Sequence, residues 1–453
     1  MAQIEALFEF LIHQGGYELF IPSDDNCQLT DATGTHPLNQ VMSAREVAAL
    51  IHEILPVSQR DAWSTGQRVE LVQRTGAGEF RVTAEQSEEA SWIRVARTPR
   101  NYIEHLAAMA REAGAEELLL AEGAPAFQRR EGVTERLGNA PAMPDGMLAA
   151  FLRQEAPTPG EDGSPRRFLT SLACAGRARV TSLWGEAGPA AVFRLLPEEV
   201  SLPDDLPASF RELIHRRSGL VLVAAQPGQG LTTLLTALLC MVAAARVAHI
   251  VTIEDLVEIP VPAENALLTR CVLGTDGRRG EAIHAAMTLM PEVLFVDEIP
   301  DAATLWACLD AARAGILVIA GCHGVTVQAA LGRLLALVGP ETRAEVHERF
   351  GEALLGAVAQ TLCRGKDGKR VAAREVLVVM PATSDAIRSG RLEEVADGID
   401  AVGFSLHDAL VRLVVEEKVS LAEAEGHAID RRRFREEVSQ RLKRVSGPIG
   451  AGP

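Results

Sequence analysis

The sequence has no paired cysteines. Its seven, at positions 27, 174, 240, 271, 308, 322 and 363, are scattered without a single C-x-x-C spacing. That argues against a zinc ribbon or a disulfide framework and suits a reducing compartment. Positive charge is scarce too: 45 Lys and Arg against 61 Asp and Glu leave a formal net charge of −16. A broad nucleic-acid-binding surface is therefore not expected, although a local basic patch is compatible with the balance. There is also no long apolar run. The most apolar window, Leu234 to Ala245, falls short of the roughly 20 residues that a bilayer-spanning helix needs. The opening Met-Ala-Gln-Ile-Glu-Ala lacks the basic-then-apolar order of a signal peptide. The expectation is a cytoplasmic protein without membrane insertion.

What is present is an ordinary globular composition, 47% hydrophobic and 23% charged over 453 residues, a length that predicts about three domains. Leu7, Phe8, Phe10, Leu11 and Ile12 give a helical pattern that ends at Gly15-Gly16, followed by a strand-like Tyr17 to Ile21 stopped by Pro22. A second helix is expected over Ala44 to Leu55, then strands at Val69 to Val72 and Glu79 to Thr83 around the turn Gly76-Ala77-Gly78. The unit then repeats weakly. Leu106, Gly114, Glu117 and Leu118 match Leu7, Gly15, Glu18 and Leu19 at an offset of 99, and Gly176, Arg179, Val180 and Thr181 match Gly78, Arg81, Val82 and Thr83 at 98. Two unrelated helix–glycine–strand segments would give some of these matches, but the shared order of elements favours duplication, with copies at 1–98 and 99–200. Gly160 to Pro165 reads as a polar loop within the second copy.

Residues 196–210 carry three prolines and four acids and read as a linker. From 201 to 404, strands near 220–224, 248–253, 293–297 and 316–320 alternate with helices, which predicts an α/β domain with a parallel sheet covered on both faces. A helical C-terminal segment is expected over 405–446, with a disordered tail at 447–453. Its last helix carries Arg431, Arg432, Arg433, Arg435, Arg441, Lys443 and Arg444. A solvated basic face is the preferred reading of that run, and docking of an acidic partner the lesser one.

The chain is organised around Gly219 to Leu239. An apolar strand, a Gly/Pro turn over Gln226 to Gly230 and a helix opening on Thr232 and Thr233 have the layout of a phosphate-binding loop. There, backbone N–H groups and a helix N-terminus cradle phosphate oxygens. Against the pattern G-x-x-x-x-G-K-[ST], Ala225 stands for the first glycine, Gly230 for the second, Leu231 for the lysine and Thr232 for the hydroxyl. Gly228, Gln229, Gly230, Leu231, Thr232 and Thr233 are the candidate cofactor-binding positions. The scaffold is kept and its cation is absent.

Three further stretches follow in order. Val251 to Glu258 is an apolar strand ending in acids, where a carboxylate would act as base toward water near a γ-phosphate. Val293 to Asp301 is a buried-type strand ending in Asp297-Glu298, an arrangement that holds hydrated Mg²⁺ beside a phosphate loop. Ile316 to His323 ends in a histidine at the same sheet edge. Acids at strand ends commonly cap helices, and a lone histidine is usually structural; the ordered set is what carries the functional reading.

On these four stretches the chain resembles the hexameric motor ATPases of type II secretion and type IV pili. Within them it is most similar to the PilT-like retraction branch, through Val358 to Ala372 and Glu375-Val376-Leu377 and through the lack of paired cysteines. The resemblance implies a RecA-like P-loop NTPase domain preceded by PAS-like α+β domains, here two where one is usual. It implies ATP and Mg²⁺ as cofactors, with Glu254 as catalytic base and Glu298 as the carboxylate linked to Mg²⁺ through water. His323 would sense the γ-phosphate, and Thr232 would touch Mg²⁺. It implies as partners a homo-hexamer or a mixed ring with an active PilT-like ATPase. Inner-membrane platform proteins of a pilus would hold it peripherally at the membrane.

The departures point one way. Besides Leu231 and Ala225, Pro300 stands where the family has arginine, and Gly185-Glu186 where a Gln-Arg pair is expected. Gly321 and Gly324 replace threonines around His323. A phosphate-facing arginine is worth ~10³–10⁵ in rate for phosphoryl transfer, so the combined losses imply a degenerate pseudo-ATPase with a regulatory or structural role. The alternative is an active ATP-hydrolysing retraction or secretion motor with its cation supplied from elsewhere. A RecA-type nucleic-acid ring motor fits the α/β core but not the acidic charge.

Overall fold

The computed structural model describes residues 2–445 apart from 32–33, 76–77, 88–89, 139, 141, 157–162, 174, 201–202, 204, 264, 275–277 and 403. The tail at 447–453 lies outside the described residues, as do parts of the expected 76–78 turn, the 160–165 loop and the 196–210 linker. The chain divides into two units, Met1–Pro197 and Glu198–Pro453.

The first unit holds two antiparallel sheets. One contains β1 (Glu18–Pro22), β2 (Asn26–Asp31), β3 (Gly34–Val41), β4 (Val69–Thr75), β5 (Gly78–Gln86) and β6 (Ser91–Arg97), in the order β3-β2-β1-β6-β5-β4. The other contains β7 (Glu117–Ala121), β8 (Phe127–Arg130), β9 (Val133–Arg136), β10 (Arg166–Leu172), β11 (Gly176–Gly185) and β12 (Gly188–Leu195), in the order β10-β11-β12-β7-β8-β9. Read from the opposite edge, the second order repeats the first. In both sheets the Glu-Leu pair that opens the inner strand meets the last strand antiparallel: Leu19 faces Val95, and Leu118 faces Phe193. β2 and β3 are absent from the sequence reading because Asn-Cys-Gln-Leu-Thr-Asp and Gly-Thr-His-Pro-Leu-Asn-Gln-Val carry little apolar alternation. β3 is an edge strand and tolerates Pro37 for that reason. The helix Ala44–Ile54 starts at a capping box, with Ser43 accepting from the Glu46 N–H and the Glu46 carboxylate accepting from the Ser43 N–H.

The second unit is built on a seven-stranded sheet. Its strands are β13 (Gly219–Ala225), β14 (His249–Glu254), β15 (Leu267–Val272), β16 (Val293–Val296), β17 (Leu317–Cys322), β18 (Leu354–Arg364) and β19 (Arg370–Val378), ordered β15-β14-β16-β17-β13-β18-β19. All pairs are parallel except β18 with β19. Side chains alternate across a strand, and β13 feeds both faces. Leu220, Leu222 and Ala224 join one apolar cluster with the helices Ala302–Arg313 and Val327–Ala336, while Val221 and Val223 join another with the helix Leu231–Ala245. The sheet is wider than the four strands expected, because β15, β18 and β19 lack long apolar runs bounded by turns.

Helices Leu406–Val415, Leu421–His427 and Arg431–Val445 follow, the first capped by Ser405, which accepts from the Asp408 N–H. Leu406, Leu410, Phe434 and Val438 form a small core with Cys363 and Ala373. On the last helix Arg432 pairs with Glu436, Arg435 with Glu425, and Arg441 with both Glu437 and Asp408. No helix among the described residues is long and apolar enough to cross a membrane.

Candidate functional site

The centre of the site is the bend between β13 and the helix Leu231–Ala245. Parallel strands end at one edge, and there β14, β16, β17 and β13 deliver Glu254, Asp297 with Glu298, His323 and the loop Gln226–Gly230 side by side. Gly228 and Gly230 take φ of +79° and +81°, which L side chains rarely adopt, so both glycines are required by the turn. A Cβ on Gly230 would also lie 2.7 Å from Gln360 Nε2. The helix then starts directly at Leu231 with its first N–H groups turned toward the loop.

The loop is held from outside by β18 and β19, a contact that sequence reasoning did not find. Gln360 Nε2 donates to the Gln229 carbonyl at 2.8 Å, the Leu362 N–H donates to Gln229 Oε1 at 2.6 Å, and Arg370 Nη1 donates to the Gly228 carbonyl at 2.9 Å. Gln360 is buried and is itself fixed by Arg374 Nε at 2.9 Å. Only the residues' remoteness in sequence hid them.

Leu231 does not behave as expected of a residue in the lysine position. Its half-buried side chain packs against the apolar cluster of Leu234, Leu238, Phe295 and their neighbours. A leucine gains more from that cluster than from a polar cleft. Thr232 and Thr233 are half-buried on the first turn, and Thr233 lines a cavity of about 620 Å³ together with Gly230, Arg370, Arg374, Arg412 and Lys418.

At the acidic end, Glu254 accepts from Thr252 Oγ1 at 2.6 Å and lies 3.8 Å from Arg270 Nη1. Burial raises its pKa, and Thr252 and Arg270 oppose that shift. His323 bridges two acceptors, with Nδ1 3.0 Å from the Ala225 carbonyl and Nε2 3.1 Å from Glu298 Oε1.

Asp255 and Asp297 converge on a residue the sequence reading passed over. The Asp255 N–H donates to Asp297 Oδ2 at 2.7 Å. Arg279, the first residue of the helix Arg279–Met287, places Nε 3.0 Å from Asp297 Oδ1 and Nη2 2.5 Å from Asp255 Oδ1. Burial raises the Asp297 pKa and the guanidinium pulls it back. Burial works against the Arg279 charge, but the two carboxylates outweigh it and hold the guanidinium charged beyond its usual range.

These commitments decide whether Mg²⁺ fits. Mg²⁺ beside a polyphosphate keeps several waters and uses one or two carboxylates. Here Asp255 and Asp297 face Arg279, Glu254 faces Thr252 and Arg270, and Glu298 faces His323. The donor set does not fit the metal, and no step is derived through it.

The two glycines around His323 have a packing cause. A Cβ on Gly321 would meet the Asp297 carbonyl at 2.2 Å and Leu235 Cδ1 at 2.7 Å, and one on Gly324 would meet Ala330 at 2.7 Å. Pro300 follows β16 at the same edge and is exposed. Gly185 and Glu186 lie at the exposed β11–β12 hairpin of the first unit.

A parallel sheet with a strand–glycine loop–helix at its centre, acids on the neighbouring strand ends and a histidine between them defines a RecA-like ATPase fold. Known proteins agree. The family model described as "Type II/IV secretion system protein" matches residues 178–444, and the chain belongs to that family. It is 28% identical over 308 residues to the type IV pilus retraction ATPase PilT of Pseudomonas aeruginosa, spanning 66% of this chain and 89% of that protein. It is 24% identical over 328 residues to the type IV pilus ATPase PilU of the same organism, spanning 70% and 86%. A crystal structure of the pilus retraction motor PilT with bound ADP aligns with a TM-score of 0.64 at 26% identity, covering 74% of this chain and 99% of that one.

Proposed function

We propose that this chain is a PilT-like subunit of type IV pilus machinery that has kept the motor fold and lost most of its catalysis, serving a regulatory or structural role. The observation that carries the reading is Leu231. The position of the phosphate-binding lysine is filled by a half-buried side chain packed against an apolar cluster, and phosphoryl transfer is accelerated chiefly by cations that stabilise the charge of the transition state. ATP is the expected ligand, held by Gly228 to Thr233. Glu254, Glu298 and His323 are vestiges of the base, the metal-linked carboxylate and the γ-phosphate sensor, and Thr232 of the Mg²⁺ contact.

The chain forms a homo-hexamer or joins a mixed ring with an active PilT-like ATPase, in the cytoplasm against the pilus inner-membrane platform. Residues 1–98 and 99–200 are two copies of a PAS-like domain, a reading supported by the shared strand order of the two sheets. Residues 201–404 are the ATPase-type domain and 405–446 its helical extension.

One observation favours the alternative, an active retraction or secretion motor. Arg370 donates to the loop carbonyl of Gly228 and is the nearest substitute for the absent lysine. Titration of the full chain with a fluorescent ATP analogue, alongside light scattering on a sizing column, separates the two. The proposal expects weak binding and a ring or mixed assembly. Tight binding with steady phosphate release supports the motor.

A further inference from the structure

We infer that the Arg279 guanidinium is this chain's resident cation at the acidic strand ends, and that nucleoside polyphosphate binds without a divalent metal. The inference rests on the reading of Gly228 to Thr233 as a nucleotide site.

Asp255 follows β14 and Asp297 follows β16, neighbouring strands whose register pairs Ile253 with Val296. The two carboxylates therefore meet, and two like charges at this distance need a counter-charge. The chain supplies it internally. The Arg279 side chain is only 11% exposed and reaches both carboxylates at once. Its mount is rigid: Gly280, next in the helix, lies so close to Ala303 that a Cβ would stand 3.0 Å from the Ala303 carbonyl. A guanidinium matches carboxylates in a fixed planar fork, so the cation is locked in orientation as well as in place.

A guanidinium in this position offsets one of the two carboxylate charges, does not exchange and is not removed by chelators. Mg²⁺ arriving with a nucleotide would meet carboxylates that already carry partners, Arg279 on the aspartates and His323 on Glu298. On the other flank of the loop, Arg370 sits at the Gly228 carbonyl. The loop thus has an arginine of its own, while the carboxylates at the strand ends already carry their partners.

The test uses the full chain. A fluorescent ATP analogue is titrated in Mg²⁺ and again in EDTA, and the expected dissociation constants agree within about threefold. A loss of more than about tenfold on chelation overturns the inference. Separately, Mn²⁺ alone is titrated and followed by electron paramagnetic resonance. Wild type is expected to bind none at the strand ends, and Arg279→Ala is expected to create one site on the freed aspartates. A stoichiometric Mn²⁺ on wild type contradicts it. If the analogue binds in neither buffer, the nucleotide reading fails, and the Mn²⁺ titration of wild type decides the role of Arg279 alone. That arm needs no variant, so a poorly folded Arg279→Ala does not remove the test.

Discussion

Restoring the missing lysine, Leu231→Lys, probes the site through two opposed effects. Leu231 is half-buried against an apolar cluster. Full burial of a leucine is worth about 1.5–3 kcal/mol, and a lysine keeps its methylenes on the apolar surface while its ammonium reaches water. The expected loss is therefore about 0.5–1.5 kcal/mol, or a few degrees in Tm. In exchange, an ammonium one residue into the helix gains a charge-assisted bond to a phosphate oxygen, worth about 1.5–3 kcal/mol. Affinity for a fluorescent ATP analogue should rise by roughly one to two orders of magnitude. Turnover should stay low, because Glu298 remains tied to His323 and the aspartates to Arg279. Thermal denaturation and an equilibrium titration on the same sample measure both effects. A variant that loses stability as calculated but gains no affinity refutes the assignment of this bend as the phosphate site.

Reverting Gly321 should fail for a different reason. Its Cβ would collide with a backbone carbonyl, so Gly321→Ala should cost about 1–3 kcal/mol in a denaturant titration; an unchanged midpoint refutes the packing argument. Arg370→Ala removes the guanidinium at the loop, and nucleotide affinity should fall by about tenfold or more, whereas equal affinity removes the support for an active motor. Glu254→Gln tests the buried carboxyl. A raised pKa means the folded state holds the proton more tightly, so stability from this group is present below the ordinary value of 4.5 and lost as pH rises through the folded pKa. The variant should melt above wild type at pH 8 and match it at pH 4; a pH-independent offset contradicts the shift.

The parts of the site legible in sequence were those written into one continuous stretch. The run Leu220 to Ala224, the glycine turn and the threonine-headed helix announce the loop, and apolar strands ending in Glu254, Glu298 and His323 share its sheet edge. What escaped was whatever depends on residues distant in the chain. Gln360 and Arg370 reach the loop from more than a hundred positions away, and Arg279 meets its aspartates only once β14 and β16 are side by side. Gly321 and Gly324 read as lost threonines, although their cause lies in the Asp297 carbonyl and Ala330. The first sheet was half visible: β4 and β5 alternate clearly, whereas β2 and the edge strand β3 are largely polar.

Whether this fold has lost its engine is tested most directly by steady-state phosphate release from the purified full chain at saturating ATP. The expected turnover is below about 10⁻² s⁻¹ and unaffected by Glu254→Gln, against a usual range of about 1–10³ s⁻¹ for working enzymes. Release within that range, abolished by Glu254→Gln, would contradict the loss.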